Sequence, residues 1–127
     1  MNKKVNQQIP KALEAIKTSK MANDDNIVDK EFKGYIASMG ASIIQSGLIA
    51  TLAFYSNEQS QAKKRLNLLR AIMLLIDSTS DKELLNYVLS NTNNGTNKIE
   101  IDKFEKNIST SLVALKLALR TFKQKEL

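Results

Sequence analysis

Between Lys33 and Glu58 the chain carries no charged side chain, and the stretch GYIASMGASIIQSGLIATLAFYS, Gly34 to Ser56, is mostly apolar. So long an apolar run has to be withdrawn from water, either into lipid or into protein. Its length admits a membrane span, since a hydrocarbon core of about 30 Å takes roughly 20 apolar residues. Its content favours protein. Ser38, Ser42, Gln45, Ser46 and Thr51 would each carry a polar group into lipid, and basic residues flank both ends, Lys30 and Lys33 before, Lys63, Lys64 and Arg65 after. The stretch therefore predicts the buried centre of a helical domain, and a small membrane protein spanning at 34–56 is the competing reading.

A chain of 127 residues makes one domain, 1–127, with one core. Cysteine and histidine are both absent, which excludes disulfides, thiolate and imidazole metal sites, and Ser-His or Cys-His catalysis. An enzyme built on this chain would have to work with carboxylates, lysines or hydroxyls alone. The lack of cysteine fits a reducing cytosol, and Met1-Asn2-Lys3-Lys4 is followed by Asn6, Gln7 and Gln8 where a secretory signal would place an apolar run, so a cytoplasmic location is expected. A formal net charge of +6 points to an anionic partner, nucleic acid ahead of a lipid surface.

With one proline and four glycines, the chain has little punctuation, and its apolar spacing is helical almost throughout. The expectation is an all-α bundle of about five to six helices with a buried central helix. Val5, Ile9, Leu13 and Ile16 mark a first helix, in which Pro10 either lies in the first turn or makes a kink. A loop near 20–29 follows, with Asp29 as cap for a second helix containing Phe32, Tyr35, Ile36 and Met39. The uncharged stretch then predicts a break near Gly40 and a third, buried helix, with Gly40 and Gly47 on nearly one face where a neighbouring backbone approaches closely. A fourth helix is expected over Gln59 to Ile76, basic at first and apolar at its end. After a loop near 77–81, Ser80 and Glu83 have the spacing of a capping box ahead of Leu84, Leu85, Val88 and Leu89. Beyond a polar loop near 90–99, Ile108, Leu112, Leu115, Leu119 and Phe122 form the stripe of a last helix.

Motifs with catalytic or metal chemistry are not found. NTNNGTNKIEIDKFE has the flavour of a calcium loop, but aligning Ile99 at the eighth position puts Asn97 where glycine belongs and Lys103 where the bidentate glutamate belongs. Asp24 and Asp25 read as turn residues, and no phosphate-binding glycine loop occurs. No catalytic residue, metal or cofactor is expected. The basic residues carry the functional signal: Lys63, Lys64, Arg65 and Arg70 on the fourth helix, and Lys116, Arg120 and Lys123, aligned at four- and three-residue spacing, on the last. Aromatic residues make up only 6%, so contact with phosphates is expected rather than base stacking.

From Tyr35 to Tyr55 the chain resembles the small helical subunit of the type III-B CRISPR effector, the Cmr complex. The resemblance lies in Tyr35, Ile43-Ile44, Ser46-Gly47-Leu48 and Leu52-Ala53-Phe54-Tyr55, in that order and spacing. Gly40-Ala41 stands where that family often has a proline, and Ser46 where it often has an asparagine. Elsewhere the likeness is one of length, helical pattern and a closing leucine-rich helix. The resemblance implies a non-catalytic, RNA-binding structural subunit of a ribonucleoprotein acting in antiviral defence. Several copies would stack beside the repeated backbone subunit, along the duplex of CRISPR RNA and target RNA. The small subunit of the related type III-A complex is the neighbouring alternative.

Overall fold

A computed structural model describes residues 3–57 and 62–125. Six helices run in the order α1 (Lys3–Thr18), α2 (Glu31–Ser46), α3 (Leu48–Tyr55), α4 (Ala62–Ile76), α5 (Leu84–Ser90) and α6 (Lys98–Leu119). Two three-residue strands, β1 (Ile27–Asp29) and β2 (Lys123–Lys125), complete the elements. The protein is an all-α bundle, as its periodicity predicts. Residues 59–61, expected in the fourth helix, lie outside the described residues.

The central helix is α4, which packs against all five of the others. Leu68, Leu69, Ala71, Ile72 and Met73 are buried along it, and a helix surrounded in this way is apolar on more than one face. Around it α1 contributes Val5, Ala12, Ala15 and Ile16, and α6 contributes Ile108, Leu112, Leu115 and Leu119. Small residues let α1 and α6 pack closely: Ala12, Ala114 and Ala118 are all fully buried. Pro10 lies inside α1, where its missing N–H leaves the carbonyl of Asn6 without its helical donor.

The uncharged stretch is not the buried centre. It forms most of α2 and all of α3, and each helix is buried on one side only: Phe32, Ile36, Met39 and Ile43 face inward from α2, and Leu48, Thr51, Leu52 and Tyr55 from α3. Ala37, Ala41, Ala50 and Ala53 are exposed, Ile44 is 86% exposed and Phe54 58%. The break falls at Gly47, and Gly40 continues α2. Gly47 has φ +89° and ψ 164°, a combination open in practice only to glycine. The corner is held by hydrogen bonds: Gly47 N–H donates to Ile43 O at 3.0 Å, Thr51 Oγ1 donates to Gly47 O at 2.8 Å, and the Ser42 and Thr51 hydroxyls pair at 2.7 Å. Space for a Cβ is open at both Gly40 and Gly47, so the expected close backbone approach is absent. Because Gly47 divides the run, no helix among the described residues is long and apolar enough to cross a membrane.

Three further expectations are corrected. The segment near 20–29 is not wholly loop, because β1 pairs in parallel with β2, Ile27 opposite Lys123 and Asp29 opposite Lys125. Asp29 is not the N-cap of α2, a position Lys30 takes without a side-chain cap bond; one residue earlier, the Asp29 Oδ1 accepts the Glu31 N–H at 3.0 Å. The capping box does not form: Ser80 Oγ accepts the Lys82 N–H at 3.2 Å, and Glu83 is extended immediately before Leu84. The polar segment before α6 is a tight hydrogen-bonded turn. Buried Thr92 donates from Oγ1 to Val88 O at 2.7 Å and accepts the Gly95 N–H at 3.1 Å, while Asn97 Oδ1 caps α6 at the Glu100 N–H, 3.1 Å away.

The two glycines of the uncharged stretch should respond oppositely to alanine. Gly47→Ala forces a side chain into the glycine-only region and should destabilise by about 1–3 kcal/mol, whereas Gly40→Ala, inside a helix with open space, should stabilise by roughly 0.5–1 kcal/mol. Urea unfolding of the two variants checks this, and equal shifts of one sign would refute the assignment of the corner to Gly47.

Candidate nucleic-acid interface

Lys63, Lys64 and Arg65 occupy the first turn of α4, where successive side chains diverge by about 100° around the helix axis. The buried half of α4 fixes their directions, and the three take different surroundings. Lys63 is exposed and borders a groove of about 270 Å³ with Lys20, Asn23, Asp29, Asn67 and Lys125. Lys64 is held between carboxylates, 2.8 Å from Asp29 Oδ2 and 3.0 Å from Glu31 Oε1. Arg65 turns the other way, over the rings of Phe54, Tyr35 and Tyr55.

The electrostatics follow from these contacts. Hydrogen bonds to Asp29 and Glu31 raise the Lys64 ammonium pKa well above its ordinary value, so it stays protonated. Reciprocally, the bond from Lys64, with the Glu31 N–H, lowers the Asp29 carboxyl pKa. Tyr35 is raised, first by burial and then by the hydrogen bond its hydroxyl donates to Glu31 Oε2 at 3.0 Å. Lys64 thus has its charge answered within the protein and ties β1 and α2 to α4. Lys63 faces the groove with no such partner among the described residues.

Arg70 lies two turns beyond Lys63 on the same face of α4, about 10 Å along the axis. It is exposed and borders a separate groove of about 420 Å³, with the apolar floor of Leu66, Leu69 and Met73 and the charged rim of Asp81, Lys82 and Glu83. Its Nη1 reaches Ser80 O at 3.5 Å. Mixed charge on that rim makes it a poorer phosphate site than the groove at Lys63.

At the other end of the chain, Lys116 is exposed in the last turn of α6 and Arg120 is its C-cap, both placed where cations complement the helix dipole. Lys123 has left the helix. It stands in β2 and borders a groove of about 450 Å³ with Lys17, Asp25, Asn26 and Phe122. The strand pair therefore joins two basic regions that the sequence keeps apart: β2 presents Lys123 beside Lys17, and Lys125 beside Lys20 and Lys63. Lys17, Lys20 and Lys125 carry no signal in the sequence, because what gathers them is a pairing between segments some hundred residues apart. Two carboxylates border these grooves; Asp29 is already engaged by Lys64, which leaves Asp25 against five ammonium groups. The balance around the ribbon is positive and suited to phosphates.

No curated protein and no solved structure matches the chain. A family model described as CRISPR-associated protein (Cas_Cmr5) matches residues 5–113. The matched span includes the corner at Gly47 and the basic start of α4, and stops before Lys116, Arg120 and β2. It covers most of the bundle, and the chain accordingly belongs to the Cas_Cmr5 family of CRISPR-associated proteins, as a small Cmr-type subunit.

Proposed function

We propose that this subunit is a non-catalytic component of the type III-B CRISPR effector, acting in cytoplasmic antiviral defence. It contacts the target RNA backbone through the lysines around β1 and β2, and stacks through the uncharged outer side of α2 against the backbone subunit and further copies of itself. The observation that carries the reading is the gathering of Lys17, Lys20, Lys63, Lys123 and Lys125 around the strand pair. Lysines at these positions act on phosphates as point charges and read no bases, leaving sequence to be recognised by pairing with CRISPR RNA. The Cmr-type family match favours this assignment over the type III-A one. The exposed Ile44, on an α2 side with no charge between Gly34 and Ser46, suits a protein neighbour, since apolar surface of this kind marks contact sites.

One copy offers only a few phosphate contacts, so an isolated subunit should bind RNA weakly, and repeated copies should bind it well together. Reversal of Lys20, Lys63 and Lys125 to Glu should weaken target RNA binding by the assembled complex evenly across sequences. The salt slope should fall by about 0.7 in log affinity per log salt for each single-strand phosphate no longer neutralised. Reversal of Lys116, Arg120 and Lys123 should act in the same direction. Lys64→Met should weaken binding indirectly, because it frees the Asp29 carboxylate to oppose phosphate in the groove shared by Lys20, Lys63 and Lys125. Unaltered affinity and slope in a correctly assembled complex carrying either triple would show these charges to be solubilising only.

Ile44→Glu should leave the melting temperature of the free protein unchanged while reducing the number of copies in the assembled complex, as counted by native mass spectrometry. Full incorporation would remove the α2 side from the stacking interface. The pure subunit should not cleave single-stranded RNA with magnesium or manganese, and cleavage that a point change in this chain abolishes would overturn the non-catalytic assignment.

A further inference from the structure

Phosphate contact by lysine makes no use of the arrangement around Arg65. Its guanidinium carbon lies 4.8 Å from the Phe54 ring centroid and 5.9 Å from those of Tyr35 and Tyr55. Rings from α2 and α3 thereby hold a cation from α4. Among the described residues Arg65 makes no hydrogen bond or ion pair, so none of its N–H donors is spent on them. Phe54 is 58% exposed even with the guanidinium beside it, and therefore presents a solvent-facing side. Its position is braced from below: it meets buried Tyr55 edge to face, centroids 5.6 Å apart, and the Tyr55 hydroxyl donates to Tyr35 O at 3.2 Å.

An exposed ring next to an unspent, positioned guanidinium matches a ligand that has both a π-face and an anionic group. A nucleotide has both. An apolar protein surface would cover the ring but would also desolvate the Arg65 donors without partners, which is costly. We propose that Phe54 and Arg65 form a stacking site for an unpaired nucleotide of RNA, the base lying on the Phe54 ring and the guanidinium donating to the phosphate. Every base has a π-face, so the site is selective for unpaired RNA and tolerant of sequence. This deepens the RNA-binding reading and rests on it, adding to the lysine contacts one that a fully paired duplex cannot make.

The chain has no tryptophan, so Phe54→Trp places a single tryptophan at the site, excited apart from the tyrosines at the red edge of their absorption. Titrating that full-length variant with a mixed-sequence single-stranded oligoribonucleotide should quench its emission, and an RNA duplex of equal length should not. Phe54→Ala should weaken single-strand binding by about 5- to 100-fold with duplex binding unchanged, and Arg65→Lys, which keeps the charge, should weaken it too. If both substitutions leave single-strand affinity intact while reversal of Lys20, Lys63 and Lys125 lowers it, the stacking site is wrong and the phosphate reading stands. If Phe54→Ala reduces incorporation into the complex without altering RNA affinity, the ring serves a protein contact and the proposal fails. Absence of any single-strand binding by the wild-type chain would overturn the stacking site, while the phosphate reading is decided by the charge reversals in the assembled complex.

Discussion

The burial of the second half of α4 is the contact on which the other features depend. Leu68, Leu69, Ala71, Ile72 and Met73 are all enclosed, and α4 touches every other helix, so it cannot roll or slide without opening the core. A rod fixed in this way at one end also fixes the directions of the side chains at the other. Lys63, Lys64 and Arg65 are consecutive, yet one borders a basic groove, one bridges two carboxylates and one lies on aromatic rings. Similar residues acquire different uses from about 100° of rotation per position.

The bridge made by Lys64 is chiefly a positional device. Half-exposed ion pairs contribute little net stability, because solvent screens them and long side chains give up entropy in forming them. Here, however, one ammonium links Asp29 at the end of β1 to Glu31 at the start of α2, and Glu31 in turn accepts from Tyr35. That network sets β1 against α4, and through β1 it sets β2. The register of three residue pairs then decides where Lys123 and Lys125 stand.

Two surfaces with different chemistry result. Around the strand pair, lysines supply charge that acts at a distance and is sensitive to salt. From Gly34 to Ser56 the outer side of α2 and α3 has no charge, and Gly47 bends it so that Ile44 and Phe54 stand on separate short helices. The proposed contacts with RNA and with protein call for both kinds of surface, and a bundle this size can offer them because α1, α4 and α6 complete so much of its core.

The helical class and the apolar stripe of α6 were legible in the sequence, because a helix closes its hydrogen bonds locally and leaves its period in the order of residues. The absence of cysteine and histidine likewise limits the chemistry whatever the fold. What tertiary structure alone decided has equally definite causes. Gly40 and Gly47 are the same residue in similar surroundings, and only the path of the chain assigns the positive φ to one of them. Three-residue strands show no period, so the pairing of 27–29 with 123–125, and with it the gathering of Lys20, Lys63 and Lys125, could not be read from either segment. Nor does a row of basic residues state which charges are already answered. Lys64 is neutralised by carboxylates brought from more than thirty residues away, and Arg65 is stacked by rings on two other helices, because electrostatic partners are set by distance in space and not along the chain.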